Sequence, residues 1–164
     1  MTKEMTAEQA FLRLSALCAQ AEHCQEEMLQ KMRQWGMDEE AQASVMARLV
    51  NERYVDDERY CRAFVSDKIK YNKWGRRKIE QALWLKHIDE ETSRRVLDEI
   101  DDGDYVAILR PLWQQKQQSV RAASDYELRM KMMKWALGRG FSMDVIRQCM
   151  DSDDDECEYT DEDF

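Results

Sequence analysis

The sequence predicts an all-α protein made of three tandem three-helix repeats forming an elongated, curved array. Three observations carry that expectation. Residues 23–50 and 74–101 align at an offset of 51 without a gap, and their apolar positions coincide. Met28 falls on Ile79, Met32 on Leu83, Met37 on Ile88, Val45 on Val96 and Leu49 on Ile100. The run Met37-Asp38-Glu39-Glu40 lands on Ile88-Asp89-Glu90-Glu91, so the copies share a turn as well as the helical period. A third copy is traceable at offsets of 54 and then 53: Ile79 and Leu83 meet Met133 and Leu137, and Ile88 and Val96 meet Phe141 and Cys149. Composition agrees, with one proline, five glycines and an abundance of straight-chain residues that lose little rotamer freedom in a helix.

The first repeat, 1–53, opens at Thr6 and Gln9, which have capping-box spacing, and places Phe11, Leu14, Leu17, Cys18 and Ala21 on one face. A second helix runs from about Cys24 to Trp35 with Met28, Met32 and Trp35 inward, and Gly36 closes it. Asp38 caps a third helix whose Ala41, Val45 and Leu49 recur every four residues. In the second repeat, 54–102, Val55 and Asp56 pair a staple residue with an N-cap. The helix behind them extends to about Lys70 and buries Tyr60 or Cys61, Phe64, Val65 and Ile69. Gly75 starts the next helix, which ends near His87, and Asp89 caps the last. The acidic run Asp101-Asp102-Gly103-Asp104 marks the boundary to the third repeat, 103–150. There, helices are expected over 105–118, up to Leu137, and from Ser142 to Met150. Pro111 predicts either a kink or a helix start. Residues 151–164 are too acidic to fold and read as a disordered tail.

The net charge of −9 is unevenly placed. Residues 151–164 hold nine acids and no base, so the rest of the chain sums to zero. Residues 1–58 carry six bases against twelve acids, 59–95 eleven against five, and 96–150 eight against eight. One basic block and one acidic tail make the chain an electrostatic dipole. Five cysteines (18, 24, 61, 149 and 157) lack CxxC spacing, which together with the lack of an apolar leader points to reduced thiols in the cytoplasm. No apolar run approaches the roughly 20 residues a membrane span needs.

Catalysis finds no foothold. Asp56 and Asp57 are adjacent, so on a helix they diverge by about 100° and cap rather than converge as an acid–base pair. His23 and His87 have no second ligand at metal spacing, and no nucleophile motif or phosphate loop occurs. The expectation is a protein that is not an enzyme and takes no cofactor or metal. The methionine-rich faces (Met28, Met32, Met37, Met46, Met130, Met132 and Met133) are read as core filling, with a plastic groove as the alternative. The basic block is the stronger lead. Lys68, Lys70, Lys73, Arg76, Arg77 and Lys78 fall within eleven residues, interleaved with Tyr71 and Trp74 as two exposed aromatics. Such a block suits a phosphate backbone or an acidic protein face; the plain alternative is a solvated surface. The acidic tail could mimic a polyanion, shield that block in cis, or serve solubility.

From Leu49 to Val65, the run Leu-Val-Asn-Glu-Arg-Tyr-Val-Asp-Asp-Glu-Arg-Tyr-Cys-Arg-Ala-Phe-Val resembles a motif of the bacterial RecX family of RecA regulators. Gly75-Arg76-Arg77-Lys78-Ile79 with Leu83 and Lys86-His87-Ile88 is similar to a second motif. Arg139-Gly140-Phe141-Ser142 with Asp144 and Ile146 resembles a third, and Glu27-Met28 with Lys31-Met32 a fourth. The resemblance spans about residues 10–150. Arg53 and His87 stand where the family has glycine, so both turns are expected to close without easy positive φ. The acidic tail lies outside the pattern.

The resemblance implies tandem three-helix repeats and a non-enzymatic regulator. Such a regulator binds the RecA filament on single-stranded DNA and inhibits its extension, ATP hydrolysis and strand exchange, and so controls recombination and the SOS response. It would act as a monomer, with at most weak direct DNA contact and no membrane. The basic residues 68–78 are assigned to the partner from charge, not from the resemblance. The alternative is a helical nucleic-acid-binding module acting through the same basic repeat, since three-helix units also pack as helix-turn-helix motifs.

Overall fold

The computed structural model describes residues 4–151, so the expected acidic tail falls outside the described residues except for Asp151. The described residues are helical throughout, without strands. In order they are α1 (Ala7–Gln20), α2 (Gln25–Gln34), α3 (Glu39–Asn51), α4 (Asp57–Asp67), a π-turn (Lys68–Asn72), α5 (Arg76–Leu85), α6 (Glu90–Leu97), α7 (Asp102–Ser119) and α8 (Asp125–Gly138). A last helix, α9, covers 143–151. The N-termini are capped as the side chains dictate. Thr6 and Gln9 exchange hydrogen bonds with each other's backbone, and Asp38 Oδ1 accepts the Ala41 N–H at 2.7 Å.

By contacts the chain forms two compact units, one of residues up to Phe64 with Leu83–Val96, the other of Val65–Ala82 with residues from Leu97 on. In the first, α1 and α2 pack on α3 around Phe11, Leu14, Met28, Met32, Val45 and Leu49. In the second, α7 packs on α8 and on the π-turn around Leu109, Trp113, Met132, Phe141 and Ile146. The methionines behave as core filler, with Met28, Met32, Met37, Met46 and Met132 buried and Met133 packed at the core's edge. Met130 is exposed instead, and Ala21, expected inward, is the exposed C-cap of α1.

Three corresponding turns close in one way. At Gly36, His87 and Gly140 the chain enters positive φ (72°, 56° and 97°). The next amide donates five residues back: Met37 to the Met32 carbonyl, Ile88 to Leu83, Phe141 to Ala136. The turn residue itself donates three back, to Arg33, Trp84 and Leu137. This is the Schellman pattern, and its apolar closing contact is the repeated Met37, Ile88 and Phe141. Arg53 closes α3 in the same way, with Tyr54 donating to the Leu49 carbonyl and Arg53 to Val50. The expectation that Arg53 and His87 would avoid positive φ is therefore wrong: Arg53 sits at 63° and His87 at 56°. The hydrogen bonds of the turn outweigh the roughly 1–2 kcal/mol a Cβ costs there. At Arg53 the Arg59 guanidinium adds donors to the carbonyls of Arg53 (3.1 Å) and Tyr54 (3.3 Å). Arg53→Gly is accordingly expected to raise stability by about 1 kcal/mol, readable as a higher melting temperature.

Two elements differ from expectation. Pro111 begins no helix: α7 starts after Asp101 and runs through it. The ring leaves the Ala107 carbonyl without its helical donor, but Ala107 and Pro111 both lie on the exposed face, where water can supply one. Pro111→Ala should stabilise α7 by about 1–3 kcal/mol in a denaturant titration. The helix before the basic block stops at Asp67 and widens into the π-turn, ending at Lys73 in the left-handed region.

Candidate partner-binding site

The basic block is held by its own backbone and by the turn of the third repeat. After the π-turn, Lys73 takes φ 56°, and the Trp74 N–H donates to the Lys68 carbonyl at 3.1 Å. The Gly75 N–H then donates to the Arg139 carbonyl at 2.9 Å, and the Arg77 N–H to the Gly140 carbonyl at 3.0 Å. Arg139 Nη2 reaches back to the carbonyls of Asn72 (2.9 Å) and Lys73 (3.2 Å). Backbone thus lies on backbone: a Cβ on Gly75 would stand 2.3 Å from Gly140 C and Phe141 N. The Arg-Gly-Phe run, legible in the sequence only as a motif, is the clamp that shapes the basic ridge.

The eight predicted residues separate into distinct roles. Lys68 and Lys78 flank Trp74, their Nζ atoms 4.8 and 4.6 Å from its ring centre. Trp74 is half-buried under them, so of the two aromatics expected at the surface only Tyr71 is fully so, at 71 % exposure with Lys70 Nζ 5.7 Å from its ring. Arg76 turns inward to Glu80 (2.8 Å) and Asp98 (2.7 Å), tying α5 to the residues after α6. Lys70, Lys73 and Arg77 are exposed. Among the described residues, none of these three, nor Lys78, pairs with a carboxylate.

The first repeat makes the corresponding contact with different chemistry. Its Cys24, equivalent to Gly75, directs a thiol to the Lys86 carbonyl at 3.9 Å. Glu26 and Glu27, equivalent to Arg77 and Lys78, pair with His87 (3.0 Å) and Lys86 (3.5 Å) on the turn they meet. Glu26 and Glu27 of the first copy are consumed by the fold, whereas their equivalents Arg77 and Lys78 pair with no carboxylate among the described residues. Asp57 belongs to the same framework: its Oδ1 accepts the Gln25 N–H at the start of α2 (2.9 Å), and burial pushes its carboxyl pKa up. Asp56 caps α4 through the Arg59 N–H. The four described cysteines are free thiols, and burial raises Cys24 and Cys61 to about 11, far from reactive thiolates. No group of residues that could hold a metal ion occurs among the described residues. Nor is any described helix long and apolar enough to cross a membrane.

Sequence reasoning passed over Trp84 and Leu85, which are 75 % and 67 % exposed at the end of α5. The signal was present, because Ile79 and Leu83 define the inward stripe and leave 84 and 85 off it. Large exposed apolar side chains of this kind anchor protein contacts.

Residues 56–97 match the family profile of the second three-helix domain of RecX, and residues 103–150 that of the third. The chain is 27 % identical over 149 residues to the regulatory protein RecX of Chromobacterium violaceum, covering 91 % of this chain and 93 % of that one. It is also 27 % identical over 135 residues to the RecX of Acinetobacter baylyi, covering 82 % of each. The crystal structure of RecX from Lactobacillus salivarius superimposes with a TM-score of 0.82 at 18 % identity, over 89 % of this chain and 95 % of that one, which speaks to the fold. With two successive domain profiles matched in order along more than half its length, the chain belongs to the RecX family of regulatory proteins.

Proposed function

We propose that this protein binds the RecA recombinase filament on single-stranded DNA and limits its extension, ATP hydrolysis and strand exchange, without catalysing a reaction itself. The units 1–53, 54–102 and 103–150 would share a frame and differ in surface, with the second carrying the contact. The observation behind this is the asymmetry of equivalent positions. Glu26 and Glu27 are spent on His87 and Lys86, whereas Arg77 and Lys78, like Lys70 and Lys73, pair with no carboxylate among the described residues. A cationic ridge on a rigid backbone clamp suits an anionic surface, either filament phosphate or an acidic face of RecA. Tyr71 supplies an exposed aromatic to the same ridge.

The test is ATP turnover by RecA on single-stranded DNA with and without this protein, beside a salt titration of its binding to DNA alone. Strong inhibition with weak DNA binding supports the proposal. Tight duplex binding with a steep salt slope and no effect on RecA would instead identify a nucleic-acid-binding module.

A further inference from the structure

We propose that the exposed face of α5 docks on a protein surface where carboxylates border an apolar pocket, with Trp84 and Leu85 filling the pocket and Arg77 meeting the acids. This rests on reading the basic block as partner-binding, and it names protein rather than phosphate as what α5 meets.

Ile79 and Leu83 are fully buried and set the inward side of α5. The helical period then gathers Arg77, Gln81, Trp84 and Leu85 on the opposite side, and all four are exposed. Arg77 and Trp84, seven residues apart, lie within about 20° of each other around the axis and about 10 Å apart along it. The one acid of α5, Glu80, is engaged by Arg76 at 2.8 Å. Arg77 pairs with no carboxylate among the described residues. The face therefore presents positive charge at its start and two large apolar side chains at its end.

The repeat frame does not require this pattern. At the offset of 51 the same positions of α2 are Glu26, Gln30, Arg33 and Gln34, polar throughout. Arg33 there turns onto Glu26 at 3.1 Å, so α2 closes its own face. α5 instead leaves Trp84 and Leu85 in water, an unfavourable placement that a partner's apolar pocket relieves. Phosphate offers no such relief. Trp84 could stack on a base, but the aliphatic Leu85 beside it could not. Tryptophan and arginine together are the side chains that dominate protein–protein contacts. A second copy of the chain brings no free carboxylate on this face to answer Arg77, so the complementary surface belongs to a different, acidic protein.

The experiment is cosedimentation of the full chain with RecA filaments on single-stranded DNA, beside its binding to a single-stranded oligonucleotide alone. The variants are W84A with L85A, and W84R with L85Q, which installs the residues α2 carries at those positions. Both change exposed side chains, and the pair with a melting curve matching wild type is the one read. The expected result is a filament affinity lowered roughly tenfold or more, with oligonucleotide affinity unchanged. That loss should persist at about 0.3 M salt, whereas the loss from R77Q should shrink there, because salt screens charge and not apolar burial.

Equal losses on filament and oligonucleotide would overturn the proposal, since the face would then read nucleic acid. So would a wild-type dimer that W84A with L85A splits. Wild-type filament affinity in the folded variant also overturns it, while RecA inhibition that persists there leaves the proposed function standing. No cosedimentation of the wild-type chain itself removes the proposed function, and this contact with it.

Discussion

Gly75→Ala is expected to destabilise the protein by about 3 kcal/mol or more, lowering the thermal midpoint by roughly 10 °C in a circular-dichroism melt. The added methyl group would stand 2.3 Å from two backbone atoms, Gly140 C and Phe141 N, and 2.5 Å from the Gly140 carbonyl oxygen. A flexible side chain could turn away; a backbone turn cannot. Relief requires parting α5 from the 139–141 turn and giving up the Gly75 and Arg77 hydrogen bonds to it. Gly140→Ala should be at least as severe. There the clash is with Lys78 N and Cβ, at 2.6 and 2.5 Å, and φ of 97° adds strain of its own. Gly36→Ala is the control: φ is 72° but nothing lies within 4 Å, so only the conformational cost of about 1 kcal/mol applies. Equal losses at 36 and 75 would show that the two turns are not packed backbone to backbone as described.

Phe141→Ala is expected to cost about 3–5 kcal/mol, enough to unfold much of the population near body temperature. Phe141 is fully buried among Val106, Leu109, Ala136 and Ile146, and it is also the apolar closing residue of the Gly140 turn. Its loss opens a cavity and loosens the turn that holds the basic ridge. The equivalent Met37 is nearer the surface, at 9 % exposure, and Met37→Ala should cost less, about 2 kcal/mol. A urea titration that ranks Met37→Ala above Phe141→Ala would contradict this account of the repeat.

The frame was legible because helix period and turn chemistry are local. Met37, Ile88 and Phe141 align by counting, and the three Schellman turns stand where the offset puts them. The caps at Thr6 and Asp38 were readable for the same reason. What escaped depends on partners far along the chain. Arg76 looked like surface charge because Asp98, which captures it, lies 22 residues away. Gly75 read as a helix start, and its apposition to Gly140 exists only once the third repeat is in place. Arg53 and His87 misled in another way: a glycine's absence suggests that positive φ is avoided, yet Schellman hydrogen bonds and the Arg59 guanidinium sustain it at Arg53. The π-turn had no marker, since widening a helix by one residue leaves the apolar spacing of Val65 and Ile69 intact.

The ridge separates residues that hold the fold from residues free to bind, and that separation chooses the decisive variant. Arg76 is bound to Glu80 and Asp98, and Lys78 lies under Gly140 and over Trp74, so neither is a clean probe of binding. Lys70, Lys73 and Arg77 are exposed and without carboxylate partners among the described residues. The most direct measurement is RecA ATP turnover on single-stranded DNA with the K70E, K73E and R77E chain against wild type, after their melting curves are shown to coincide. The ridge as partner surface requires inhibition to fall by tenfold or more, corresponding to about 1.4 kcal/mol of binding. Wild-type potency in that folded variant would place the contact elsewhere.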